Sequence, residues 1–133
     1  RNPERAAALA QDVFAAGAGS VAHGRLCSDE LERCLRGARL LVNTTSAGMH
    51  PSAGECPCPP SLLRPDLAVC DIVYNPRETT LLRSAAASGA IVVDGVEMLV
   101  RQGARAFELW TGCSAPADVM RNTVLRELAG AAQ

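Results

Sequence analysis

The residues with the most chemical capacity stand where short apolar runs end. Tyr74-Asn75-Pro76 breaks the run Val69 to Val73, whose one polar member is Asp71. Asp94-Gly95 closes a second run, Ile91 to Val93, and the helix that follows places Met98 and Gln102 four residues apart on one face. Asn43-Thr44-Thr45-Ser46 ends a third run in the same way. Polar residues at the carboxyl ends of strands are what ligand binding requires, because in open α/β sheets ligands sit in the crevice at that edge. Tyr74 is the only tyrosine and sits at a strand end, which favours a binding role over that of a plain turn residue. Asp71, inside an apolar run, is expected to be a structural hydrogen-bonding group and not an acid.

The elements that must position these residues alternate. Asn2 caps a helix that has Pro3 in its first turn and runs to Ala15, and a strand is expected near Ser20 to Ala22. A helix capped by Ser28 runs to about Arg36 and leads to a strand at Arg39 to Asn43. After a loop to Pro60 and a turn at Ser61 to Leu63 comes the block of strand, helix (Glu78 to Ser88), strand and helix, and Pro116 to Leu128 is a last helix. Such alternation predicts a parallel sheet with helices on both faces. Arg1 is not an initiator methionine and a helix starts at once, so the expectation is one domain of a longer protein.

Apolar residues make up 48% of the chain, which suits a soluble, well-packed domain. No stretch reaches the roughly 18 apolar residues of a membrane span, and no signal-peptide features are present. A formal charge of −1 with scattered arginines argues against a nucleic-acid surface.

In order and spacing, Asp71-Ile72-Val73-Tyr74-Asn75-Pro76, Glu78-Thr79, Leu81-Leu82, Asp94-Gly95, Met98-Leu99-Val100 and Gln102-Gly103-Ala104 resemble the carboxyl-terminal half of shikimate dehydrogenases. Asn43 to Met49 upstream and Ala106 to Gly112 downstream extend the likeness to nearly the whole chain. The resemblance implies a partial Rossmann-like, doubly wound, mainly parallel NADP-binding domain with carboxyl-terminal helices, of strand order 3-2-1-4-5-6. The segments opening at Ser20, Arg39, Val69 and Ile91 would be its third to sixth strands, and the third would lack its neighbour, the first. The implied activity is NADP-dependent interconversion of 3-dehydroshikimate and shikimate, on the route to chorismate and the aromatic amino acids. A related enzyme acting on quinate, or a noncatalytic binding module descended from the family, is the alternative.

The resemblance also assigns roles. Arg1 and Asn2 match an arginine and adjacent polar residue that engage the adenosine 2′-phosphate, which would favour NADP over NAD; the plain alternative is a helix cap beside a solvated arginine. Thr45 would contact the cofactor or merely satisfy its turn. Ile72 would pack against the nicotinamide or belong to the core, Gly95 would bring its main chain close to that ring or serve a turn, and Met98 would form an adaptable wall. Tyr74 and Gln102 would hydrogen-bond the substrate. The family's catalytic lysine and aspartate belong to an amino-terminal domain; all 13 basic residues here are arginine, and the glycine-rich phosphate loop is missing, so this chain alone is expected to be inactive. The expected partners are a small-molecule substrate, neither nucleic acid nor membrane, and a homodimer is left open. A cytoplasmic setting is implied, or a plastid in a plant.

Six cysteines remain. Cys27, Cys34, Cys70 and Cys113 lie singly among small or apolar neighbours and are expected to be buried structural thiols, kept reduced. Cys56-Pro57-Cys58 lies in a proline-rich loop with His50 as the one nearby further ligand, too few for a zinc site. His23 and His50 match no motif and are read as surface residues. Metal analysis of protein purified without chelator is expected to find no stoichiometric zinc; tightly bound zinc would reverse the reading of the 50–60 loop.

Overall fold

A computed structural model describes residues 2–17 and 19–130, which fall into two compact units, Arg1–Gly37 and Ala38–Gln133. The first unit holds α1 (Pro3–Ala15) and α2 (Ser28–Leu35). The Asn2 side chain accepts from the Arg5 backbone N–H at 3.0 Å, and Pro3 occupies the first helical position, where its missing N–H costs nothing. At the start of α2 the cap position is Cys27 and not Ser28, and no side chain caps it. Ser20–Ala22 forms no strand. An extended segment becomes a strand only through a hydrogen-bonded neighbour.

The second unit carries β1 (Leu40–Asn43), β2 (Ala68–Asp71), α3 (Thr80–Ala87), β3 (Ile91–Val93), α4 (Gly95–Thr111) and α5 (Ala117–Gly130), with a 3-10 turn at Pro60–Leu62. Among the described residues the sheet has three strands, ordered β1-β2-β3 and parallel throughout, in register Leu41 to Val69 and Val69 to Val92. This is the adjacency expected of the fourth to sixth strands of a Rossmann-like sheet. The strand expected over Val69 to Val73 starts one residue earlier and ends at Asp71, where the chain leaves the ladder.

Pleating gives the sheet two unlike faces. Val69 and Asp71 point to the face covered by α3, whose Leu81, Leu82 and Ala85 are buried. Burying a leucine such as Leu81 contributes roughly 1.5 to 3 kcal/mol, more than any exposed ion pair of the chain can add. Leu40, Val42, Ile91 and Val93 share the opposite face with Ala68 and Cys70, and those four are exposed. The cysteine expectation fails for the same geometric reason. Cys70 is half-buried on the open face; Cys27 and Cys113 flank helix ends and Cys34 lies beside the buried Leu35 but off its helical face, so all three are exposed. The buried thiol is Cys58, in the loop, and burial, then its neighbour Cys56, pushes its pKa up. His23 and His50 are exposed as expected.

Helix α4 begins at Asp94, whose side chain accepts from the Val96 N–H at 3.1 Å, and ends at Gly112 with φ 70°, a left-handed turn that glycine adopts without strain. It packs against α5, and Arg121 of α5 grips both carboxylate oxygens of Glu97 at 3.0 and 3.1 Å. Asp118 holds Arg121 at 2.7 Å and Arg101 holds Glu97 at 2.7 Å. No helix among the described residues is long and apolar enough to cross a membrane.

The hydrogen bond from Arg121, then the charges of Arg121 and Arg101, hold Glu97 below the usual carboxylate range against the opposing effect of desolvation. A depressed folded value means that the pair's contribution is complete above the ordinary glutamate range and is lost as pH falls through the depressed value. Unfolding followed by helical circular dichroism should therefore show Glu97→Gln less stable than the parent at neutral pH and the two converging in acid; a gap that does not change with pH would remove the ion pair from α4 packing.

Candidate functional site

The three strands end at one edge, and their carboxyl ends deliver most of the residues singled out from the sequence. The arrangement is held by Asp71, which is 0% exposed. Its Oδ1 accepts from the Asn43 side-chain amide at 2.9 Å and from the Val73 N–H at 3.0 Å, and its Oδ2 accepts from the Thr79 hydroxyl at 2.7 Å. Thr79 also caps α3, accepting from the Leu82 N–H at 3.3 Å. One side chain thus ties the end of β1, the chain after β2 and the start of α3. Asp71 has the structural role expected of it. Asn43 and Thr79 are 4% and 1% exposed, and neither was singled out individually from the sequence. The detectable signal was Thr79 standing just ahead of a helical run, where a hydroxyl caps.

Past β1, Thr45 folds back on Asn43. Its N–H and hydroxyl both donate to Asn43 Oδ1, at 3.0 and 2.7 Å, and its hydroxyl oxygen accepts from the Ala47 N–H at 3.1 Å. Thr45 remains exposed, so it both satisfies the turn and stays open to a ligand. Past β2, Ile72 is half-buried and Tyr74 is 41% exposed, its hydroxyl paired with no group among the described residues. Arg77 then donates to Asp94 at 2.7 Å, clamping the turn after β2 to the cap of α4, an ion pair the sequence reading missed.

Past β3, Gly95 is buried because α4 starts hard against the chain that leaves β2: a Cβ there would stand 2.6 Å from the carbonyl oxygens of Ile72 and Val73. Gly95 and Ile72 are therefore in direct apposition, and the glycine serves this close backbone approach. Met98, 36% exposed, and Gln102, exposed, follow on one face of α4. Cys70, beside this edge, has its pKa raised by burial and then by the charges of Asp71 and Asp94. An open groove of about 540 Å³ lies between His50, the turn at Asn75 and Pro76, and Leu125 and Leu128 of α5, and none of the described residues given a cofactor or substrate role from the sequence lines it.

Asn2 belongs to the other unit. There it caps α1 and lines, with Gly24 and Arg25, an open groove of about 500 Å³. Arg25 is a basic group of that groove which sequence reasoning did not pick out. Arg1 lies outside the described residues. Among the described residues no group of three or more His, Cys, Asp or Glu is arranged to hold a metal ion.

A parallel sheet with polar and adaptable side chains gathered at the carboxyl ends of β1, β2 and β3 defines a Rossmann-like protein. Residues 95–125 match the profile of the shikimate 5′-dehydrogenase C-terminal domain. A shikimate dehydrogenase (NADP(+)) of Methanosarcina barkeri is 49% identical over 128 residues, 96% of this chain and 45% of that protein. Among solved structures, the shikimate 5-dehydrogenase of Thermus thermophilus in complex with NADP(H) and shikimate superposes with a TM-score of 0.78 at 39% identity, over 95% of this chain and 43% of that one. A quinate dehydrogenase from Corynebacterium glutamicum in complex with NAD gives a TM-score of 0.80 at 36% identity, over 94% and 44%. The chain belongs to the shikimate dehydrogenase family, to whose carboxyl-terminal part it corresponds. It spans less than half the length of the curated relatives it matches.

Because the space beside Gly95 is filled by backbone, Gly95→Ala must push α4 away from β2. The substitution is expected to cost about 1 to 3 kcal/mol of stability, read as a lower midpoint of chemical unfolding, while Gly103→Ala, in open space on the same helix, costs nothing. Equal midpoints for the parent and Gly95→Ala would show that the two elements are not closely apposed.

Proposed function

We propose that this chain is the cofactor half of an NADP-dependent shikimate dehydrogenase, which interconverts 3-dehydroshikimate and shikimate on the route to chorismate. The observation that carries this reading is the 49% identity to an NADP(+) shikimate dehydrogenase over 128 residues, 96% of this chain. The edge suits the cofactor and a polyol: Thr45 offers a hydroxyl oxygen, Met98 a partly exposed thioether wall, and Tyr74 and Gln102 polar groups with no partner among the described residues. The cofactor would supply a hydride as NADPH when 3-dehydroshikimate is reduced and accept one as NADP when shikimate is oxidised. The chain's own share is positioning, which by orientation alone lowers the barrier to reaction.

In this reading Thr45, Ile72, Gly95 and Met98 hold the nicotinamide end of NADP, with Ile72 and Met98 keeping water from the ring. Tyr74 and Gln102 hydrogen-bond the substrate. Arg1 and Asn2 serve the adenosine 2′-phosphate, Arg1 by a charge-assisted pair. The lysine and aspartate that move the proton stand on a separate amino-terminal domain, since this sequence contains no lysine. A quinate-preferring enzyme is the second reading, favoured by the 0.80 TM-score with a quinate dehydrogenase.

Joining the chain to the amino-terminal part of the Methanosarcina barkeri relative tests the reading directly. The folded chimera is expected to reduce NADP with shikimate, and Arg1→Ala to lose about 10- to 150-fold in preference for NADP over NAD, the equivalent of one charge-assisted pair. A folded chimera without turnover would overturn the assignment. An unchanged cofactor ratio would remove Arg1 from the site, and faster oxidation of quinate than of shikimate would hand the function to the second reading.

A further inference from the structure

The hydrogen bonds behind the ligand edge form a chain in which every donor and acceptor can be assigned. A carboxylate only accepts, so the amide nitrogen of Asn43, and not its oxygen, must face Asp71 Oδ1 at 2.9 Å. The second proton of that nitrogen goes to the Ala47 carbonyl at 3.2 Å. Asn43 Oδ1 is thereby turned toward Thr45, where it accepts from both the N–H and the hydroxyl. The reverse orientation would set the Asn43 oxygen against two acceptors and its NH₂ against the Thr45 N–H. The hydroxyl of Thr45 has one proton, and it is committed to Asn43. One of its two lone pairs takes the Ala47 N–H at 3.1 Å, and the other is left over on an exposed residue.

We propose that Asp71, acting through Asn43, fixes Thr45 as a hydrogen-bond acceptor toward the ligand, so that this point of the site takes a sugar hydroxyl and turns away a phosphate or carboxylate oxygen. Asp71 is a positioning residue here: it sets which way a proton points two residues away from any ligand it could touch. Its complete burial, at 0% exposure, with Thr79 filling its other oxygen at 2.7 Å, leaves it no freedom to turn and release the relay. The inference rests on the cofactor reading above only for the ligand's identity, a nucleotide ribose. The direction of the relay follows from the chain's own side chains.

Two measurements separate these parts. In isotope-labelled protein the Asn43 side-chain amide protons are expected to exchange slowly with water, and in Asp71→Asn, whose amide can donate, to shift and exchange faster together with the Thr45 and Ala47 N–H signals, while signals of α5 stay in place. An Asn43 amide indifferent to Asp71→Asn would overturn the relay. Titration calorimetry with NADP should give about 3- to 10-fold weaker binding for Thr45→Val and little change for Thr45→Ser, since one neutral hydrogen bond is at stake. Asp71→Asn should weaken binding similarly, and the double variant Asp71→Asn/Thr45→Val no further than the weaker single, because both act through one hydroxyl. Additive losses would overturn the proposal, as would equal affinity of the valine and serine variants, a comparison that holds even if Asp71→Asn does not fold. Failure of the parent chain to bind NADP would sink the cofactor reading and the ribose contact, while the Asn43 amide still decides the relay.

Discussion

The fully buried carboxylate of Asp71 is the interaction from which the carboxyl-terminal edge of the sheet is built. A polar group removed from water must be paired, and a carboxyl group surrounded by apolar strands needs several donors at once. It finds them on three different segments: Asn43 at the end of β1, the Val73 N–H just past β2, and Thr79 at the cap of α3. Those segments cannot move apart without stranding a buried charge-bearing group. The requirement to pair one side chain thus fixes where two loops leave the sheet, and Thr45 and Tyr74 stand on those loops.

A second constraint acts from the other side of the edge. Gly95 lets the first turn of α4 meet the backbone of Ile72 and Val73, an approach that any Cβ would block. Asp94 caps the helix and holds Arg77 from the turn after β2, so α4 is anchored at its start by backbone contact and by an ion pair. Farther along, Arg121 grips Glu97 and ties α4 to α5. Met98 and Gln102, one and two turns into this anchored helix, inherit a fixed direction from it. The geometry of the edge is set by packing and pairing behind it.

The same logic explains the sheet's asymmetry. Parallel strands are ordinarily covered on both faces. Here α3 covers one, and the other presents Leu40, Val42, Ile91 and Val93. Ser20–Ala22 has a strand-like sequence and no ladder, because strand formation is a property of a pair and not of a segment.

By itself the sequence determined the parallel order of the three strands, the helices between them and the family, since these rest on local signals: apolar runs of strand length, a capping side chain at Asn2, and motifs at set spacing. It also marked Asp71 as a structural group, because an acid inside an apolar run must be paired. Which groups would pair it was not legible, because Asn43 and Thr79 are 28 and 8 residues away and their meeting depends on strand register and on where α3 docks. That Gly95 lies against the carbonyl oxygens of Ile72 and Val73 was likewise not legible, because those residues stand more than twenty positions away in the chain. Cysteine burial was misjudged at Cys27, Cys34 and Cys113 and found at Cys58, since apolar neighbours in sequence do not tell which face of a helix, or which side of a loop, meets the core. Those are properties of contacts between distant segments, and only the tertiary structure decides them.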